Sequence, residues 1–282
     1  MSPLRQQMQS DMVLRGLAER TQESYIAAVL GVARYYHRSP DQLSQDEIQQ
    51  YLLHLIEERK LAWSSTNQAA CALRFLFHVT LKQPAATFVI PSRKAPAQLP
   101  EILSREEVDR ILASCLNLKH RALLTATYAS GLRVSETCAL KVSDIDSERM
   151  MLRVDSGKGG KDRYTLLSPS LLDTLRLYWR AAHPALWLFP KTDDKRAIDA
   201  SQVQKIYYAA KRRAGVVKQG GIHALRHAFA THLLEAGVDI PTIGRLMGHD
   251  NITTTARYLH LRQQVAKTDS PLDLLSALPT RR

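Results

Sequence analysis

Cysteine is scarce in this chain, with only Cys71, Cys115 and Cys138 among 282 residues. The number is odd, the spacing is wide and no CxxC pair occurs. Neither a disulfide framework nor a cysteine zinc site is indicated, and a reducing cytoplasm fits. Long apolar runs are missing as well, and the first residues, MSPLRQQMQSDMVLRG, lack the apolar core of a signal peptide. The expectation is a cytoplasmic protein with no membrane partner. Negative charge is also in short supply, 27 Asp and Glu against 39 Lys and Arg. No cluster of carboxylates offers a two-metal nuclease site. There is no GxSxG elbow for esterase chemistry and no GxxxxGK[ST] loop for nucleotide phosphates.

Basic charge is what the chain has in excess. The net charge is +12 and the pI near 9.8, a balance that favours a polyanionic partner, most simply nucleic acid. The surplus is unevenly placed. Residues 1–99 carry a net +3, whereas residues 205–267 alone carry 10 basic and 3 acidic side chains. With 45% hydrophobic residues, the chain is long enough for two cores.

Residues 1–83 read as a four- or five-helix bundle. A first helix lies near residues 3–15, and a second segment opens at Thr21. Capping boxes at Ser44–Glu47 and Ser65–Gln68 precede two further helices. Arg74 on the last of these is a candidate DNA contact, as the composition suits a helix in a groove and equally an ordinary solvated face. Residues 84–100 hold Pro84, Pro91, Pro96 and Pro100 with Arg93 and Lys94 between them. They read as an extended basic linker able to cross a phosphate backbone.

Residues 101–282 form a second domain. It opens on a capping box at Ser104–Glu107, with helices to about Leu116 and over Arg121–Ala129. In SGLRVSE, Gly131 stops a helix and Ser135 can cap the next, which puts Arg133 in a tight turn. Residues 150–155 and 163–167 are strands flanking a Gly-rich tip with Lys158 and Lys161. Helices follow at about 169–182 and 199–213. The second carries Gln202, Gln204, Lys205, Lys211, Arg212 and Arg213, which suit base edges and phosphates.

The most chemically loaded stretch is HALRHAFATHLLEAGVDIPTIGRLMGHDNITTTARY, from His223 to Tyr258. Helices are expected over His223–Ala236, Ile240–Met247 and residues 251–261, the first two stopped by Gly237 and Gly248. His223 and Arg226, three apart, share a helix face. His223 and His227 have metal-ligand spacing, but HALRH lacks the glutamate of HExxH and sets a cation between them, which speaks against zinc. A phosphoryl transfer without metal must offset charge with fixed cations, and Arg133, Arg226 and Lys158 are available. No cofactor or metal is expected.

The boxes GLRVSE, GKGGKDR, HALRH, LMGHDN and TARYLH occur in the order seen in the tyrosine recombinase/integrase family, and this part of the chain resembles that family across residues 100–262. The overall likeness is to compact bacterial Xer-like and transposon- or integron-associated members. The resemblance implies a mainly α fold: a SAM-like core-binding helical bundle, then a mostly helical catalytic domain with a small β-hairpin, together a C-shaped DNA clamp. It implies a site-specific DNA recombinase, linked to DNA integration, transposition and a mobile element. Arg133 and Arg226 would hold the scissile phosphate, and Tyr258 would attack it to form a 3′-phosphotyrosyl link. Lys158, with Lys161 as its local competitor, would protonate the leaving oxygen. His223 would assist proton transfer and His249 would hydrogen-bond the phosphate, while Glu136 would orient the arginine or lysine. The implied partners are duplex DNA with inverted half-sites and a tetramer of this chain, or of this chain with a second recombinase, in a nucleoid-associated setting. A short apolar helix at about 270–278 would dock on a neighbouring protomer. Other readings are a DNA-binding protein of the same fold that does not cut, a relaxing topoisomerase, and Xer-type resolution of chromosome dimers.

Overall fold

The computed structural model describes residues 2–83, 87–90, 101–155, 162–191 and 195–248. The chain divides into two compact units, Met1–Gln98 and Leu99–Arg282.

The first unit is built from α1 (Pro3–Leu14), α2 (Glu19–Tyr36), α3 (Gln45–Glu57) and α4 (Trp63–Phe75), the last continuing into one wider turn over Leu76–Thr80. Its core gathers Met8, Met12, Ile26, Val32, Ile48, Leu52, Leu73, Leu76 and Phe77, all at helical spacing on their own elements. The expected capping box forms at α3. The Glu47 amide donates to the Ser44 hydroxyl at 3.2 Å, and the Ser44 amide donates to the Glu47 carboxylate at 2.8 Å. The box expected at Ser65 does not form. The N-cap of α4 is Ala62, with no side-chain bond. Ser65 is already inside the helix, its amide donating to the Ala62 carbonyl, and Thr66, Ala69, Ala70 and Leu73 follow as one inner stripe.

Arg74, a candidate groove contact, is instead partly buried and donates to the Phe88 carbonyl at 2.5 Å. Phe88 packs edge-on against Phe77, so Arg74 fastens residues 87–90 to the bundle.

The second unit comprises α5 (Arg105–Ala113), α6 (Leu118–Ala129), α7 (Val134–Ala139), β1 (Ile145–Asp146), β2 (Met151–Val154), β3 (Arg163–Leu166), α8 (Pro169–Ala182), α9 (Ala200–Arg213), α10 (His223–Glu235) and α11 (Ile240–Met247). Its sheet is antiparallel in the order β1-β2-β3, with Leu152 opposite Thr165 and Val154 opposite Arg163. Leu152 and Val154 point inward while Met151 and Arg153 face out, the alternation of a half-buried strand. The capping box at Ser104 forms as expected. The helix it opens stops at Ala113 and leaves Leu116 exposed beyond it.

At the centre lies α10. Arg226, Phe229 and His232 are buried along one side, and Ala224, Leu225, Ala228, Ala230, Thr231 and Leu234 are buried on the others. A helix covered nearly all round needs polar residues that find partners inside. His232 does so: its Nε2 lies 3.0 Å from the Leu103 carbonyl and its Nδ1 2.8 Å from the Tyr128 hydroxyl. Among the described residues, no helix is long and apolar enough to cross a membrane.

Candidate active site

The site begins where α6 ends. The Leu132 amide donates to the Thr127 carbonyl and the Gly131 amide to that of Tyr128, with Gly131 in the left-handed region at φ +60°. This is a Schellman ending, and it favours a residue without a β-carbon. A Cβ at Gly131 would also stand 2.4 Å from the Phe229 ring, so the glycine lets α6 approach α10. The close approach brings the Gly131 carbonyl within 2.5 Å of Arg226 Nη1.

Ser135 was expected to cap α7. Arg133 is the N-cap instead, extended at φ −71° and ψ 151°. Its amide donates to Glu136 Oε2 at 2.7 Å, and its Nη1 donates to Glu136 Oε1 at 2.7 Å. The glutamate therefore closes the turn that Ser135 would have closed, and a carboxylate in the first turn suits the positive end of a helix. The Nη2 of Arg133 donates to the Gly248 carbonyl at 2.8 Å.

Arg163, at the start of β3, meets the same carboxylate as a fork, with Nη1 and Nη2 each 2.8 Å from one oxygen. Its Nε donates to the Leu246 carbonyl at 3.0 Å. Arg226 donates through Nη2 to the Met247 carbonyl at 2.7 Å, and its Nη1 lies 3.7 Å from Glu136 Oε2. Three arginines thus engage three successive carbonyls at the end of α11: Leu246, Met247 and Gly248. These carbonyls lack partners within the helix and form its negative pole.

Three guanidiniums around one carboxylate leave a local excess of two positive charges. Burial pushes the Glu136 carboxyl up, but the hydrogen bonds from Arg163 and from the Arg133 amide outweigh it and hold the pKa at about 2. The carboxylate stays charged at any ordinary pH. His223 is the first residue of α10, and crowding by the protein pushes its imidazole below the usual 6.5. Arg226 and then Arg133 push the same way, against a smaller opposing effect of Glu136. A neutral imidazole beside fixed cations is suited to accept a proton.

Arg133 and Arg226, expected at one site from separated motifs, are thus brought around a single carboxylate, and His223 at the start of α10 lies close enough to feel the charge of both. Lys158, Lys161, His249, Tyr258, Arg93, Lys94 and the helix expected at 270–278 lie outside the described residues. Arg163 was not singled out in the sequence. Its signal was there, as the last residue of GKGGKDR, but nothing in spacing tells a carboxylate partner from a solvated arginine.

The cations of α9 separate into two groups. Lys205, Arg212 and Arg213 are exposed, and Arg213 Nε donates to the Ser114 carbonyl at 3.0 Å. Lys211, expected among the DNA contacts, is buried and donates to the Lys218 carbonyl. Helix phase explains it: Val203, Tyr207, Ala210 and Lys211 form the inner stripe. Gln204 is also turned to a structural task, accepting from the Ile222 amide at 3.3 Å just before α10. Among the described residues no group of three or more His, Cys, Asp or Glu side chains is placed to hold a metal ion.

Residues 101–265 match the model of the phage integrase family, and residues 4–87 match that of the phage integrase N-terminal SAM-like domain. The chain belongs to the phage integrase family, the tyrosine recombinases. The y4qK protein of Sinorhizobium fredii, of the integrase/recombinase class, is 47% identical over 98% of this chain and 90% of its own length. The tyrosine recombinase XerA of Thermococcus kodakarensis is 37% identical over 84% of this chain and 86% of its own. A crystal structure of a lambda integrase dimer bound to a COC′ core site shares the fold, with a TM-score of 0.72 over 89% of this chain and 95% of that one, at 19% identity.

Proposed function

We propose that this tyrosine recombinase cuts and rejoins duplex DNA through a 3′-phosphotyrosyl intermediate, with no metal or ATP. The observation that carries the reading is the shared positive excess of Arg133, Arg163 and Arg226 around Glu136, beside a His223 imidazole whose pKa is pushed down. Arg133 and Arg226 hold the two non-bridging oxygens of the scissile phosphate, and their fixed charge offsets the charge of the phosphorane. Tyr258 attacks phosphorus, with His223 taking its proton and His249 bonding the phosphate. Lys158 protonates the departing 5′ oxygen, and Lys161 is its nearest rival for that role. The free hydroxyl of a partner strand then attacks the phosphotyrosine. The covalent link conserves the phosphodiester energy, so no nucleotide is consumed.

The DNA carries inverted half-sites in this reading, and four protomers assemble on it. The exposed Lys205, Arg212 and Arg213, with Arg93 and Lys94, supply phosphate contacts. The terminal segment around Leu272–Leu278 docks between protomers in a closed ring. Deleting residues 270–282 should weaken synapsis more than half-site binding.

The test is a nicked duplex selected by the wild-type protein from a random pool. A covalent protein–DNA adduct that is absent in Tyr258→Phe supports the reading. A wild-type protein that binds such duplexes and never forms the adduct is a DNA-binding protein of the same fold.

A further inference from the structure

Helix α9 has two distinct faces. Val203, Tyr207, Ala210 and Lys211 are buried, whereas Ser201, Lys205, Tyr208 and Arg212 are exposed. The exposed four follow one another at intervals of four, three and four residues, so they form one stripe along the helix. Its two cations flank a tyrosine that is 51% exposed. Positive charge on both sides fits a polyanion. The ring between them has no charge with which to neutralise a phosphate, so it calls for another task. Of the two glutamines expected to meet base edges, Gln204 instead accepts from the Ile222 amide.

The dimensions of the stripe match a duplex. Lys205 and Arg212 are seven residues apart, about 10 Å along the axis at about 1.5 Å per residue. The major groove of B-form DNA is about 12 Å wide and admits an α-helix. A helix crossing that groove sets its two cations against phosphates on opposite walls and the residue between them over the base edges. The ring is also braced. Its centroid lies 5.9 Å from that of Tyr207, at 55° between the planes, and Tyr207 is fully buried. A ring held by a buried neighbour loses little freedom on binding, which suits an anchor.

We propose that Tyr208 reads DNA sequence, its ring and hydroxyl meeting base edges in the major groove and fixing the base pair at one position of each half-site. This rests on the reading above, in which Lys205 and Arg212 contact phosphates. An A·T pair is the one that suits both ends of the side chain. The thymine methyl packs against the ring, and the thymine O4 accepts from the hydroxyl.

Selection of duplexes from a random pool by the full chain tests this and needs no cleavage. The wild type is expected to enrich a motif, and Tyr208→Ala the same motif with one A·T pair per half-site relaxed. Titration of that duplex and of its G·C variant should show about tenfold discrimination in the wild type and less than about twofold in Tyr208→Ala. The salt dependence of binding should stay the same, because no phosphate contact is removed. An unchanged motif, an equal loss of affinity for every duplex, or relaxation at a G·C pair instead overturns the proposal. Should Tyr208→Ala melt well below the wild type, Tyr208→Ser, which also removes the ring, carries the same selection with the same outcomes deciding. A wild type that enriches no motif sinks the site-specific reading and this proposal together. A wild type that enriches a motif, relaxed as expected in Tyr208→Ala, and forms no adduct on it sinks strand exchange alone.

Discussion

The Arg163 side chain fills the space that a β-carbon on Gly248 would take. The glycine takes φ +63° at the end of α11, and a Cβ there would stand 2.8 Å from Arg163 Cδ and 2.9 Å from its Nε. That Nε is the donor to the Leu246 carbonyl. Gly248→Ala therefore meets two penalties, the left-handed backbone at about 1–2 kcal/mol and the displacement of Arg163. Gly215 supplies the control, because it has φ +66° with nothing within 4 Å of the added carbon. Chemical denaturation should show Gly215→Ala losing about 1 kcal/mol and Gly248→Ala more. Cleavage should fall in Gly248→Ala alone. Equal losses of stability and activity in the two variants would mean that the contact with Arg163 carries no weight.

Acid should reveal the Glu136 cluster. The carboxyl is held at about 2 in the folded chain against an ordinary 4.5. A depressed carboxyl stabilises the fold fully above its unfolded value and loses that contribution as pH falls through the folded one. The window thus runs from about pH 4.5 to about pH 2. At about 1.4 kcal/mol per unit, the full contribution is about 3 kcal/mol. Denaturant unfolding at about pH 5 and about pH 3 should show a steeper loss for the wild type than for Glu136→Gln. Parallel losses would place the acid-sensitive group elsewhere.

Much of this was legible in the chain itself, for local reasons. Ser44 and Ser104 each stand three residues before a glutamate, and the capping boxes follow from that spacing. The bounds of α11 follow from Asp239 before it and Gly248 after it. Arg133, His223 and Arg226 stand out as candidates because their motifs are local strings. Reciprocal tertiary relations were not legible. Arg163 and Glu136 are 27 residues apart and meet only once β3 lies beside α7. Ser65 fails as a cap because α4 starts two residues earlier, at Trp63. The two-residue β1 is too short for an alternating pattern to declare it.

His223 predicts a pH profile for cleavage. Its imidazole lies below the ordinary 6.5, so the neutral form persists to lower pH than usual. A group acting as a base works above its pKa and stops as pH falls through it. Single-turnover cleavage should therefore be flat at neutral pH and decline on a limb whose midpoint lies below 6.5. His223→Gln should cleave more slowly, by about tenfold to a hundredfold, and lack that limb. Activity that instead declines as pH rises through the same range would make His223 an acid.

Lys205 and Lys211 lie six residues apart on α9 and should behave oppositely. Lys205 is exposed, whereas Lys211 is buried on the inner stripe with its ammonium donating to the Lys218 carbonyl. Truncating Lys211 to alanine leaves that carbonyl without its donor and opens a gap beside Tyr207 and Ala210 on the same stripe. The expected cost is about 1–3 kcal/mol of stability, with little change in the salt dependence of DNA binding. Lys205→Ala should leave stability within about 0.5 kcal/mol. If its charge neutralises a phosphate, the slope of log affinity against log salt should shrink by about one. Binding titrations at several salt concentrations, paired with thermal melts, separate the two effects. A salt slope that shrinks for Lys211→Ala and holds for Lys205→Ala would mean that the opposite face of α9 meets the DNA.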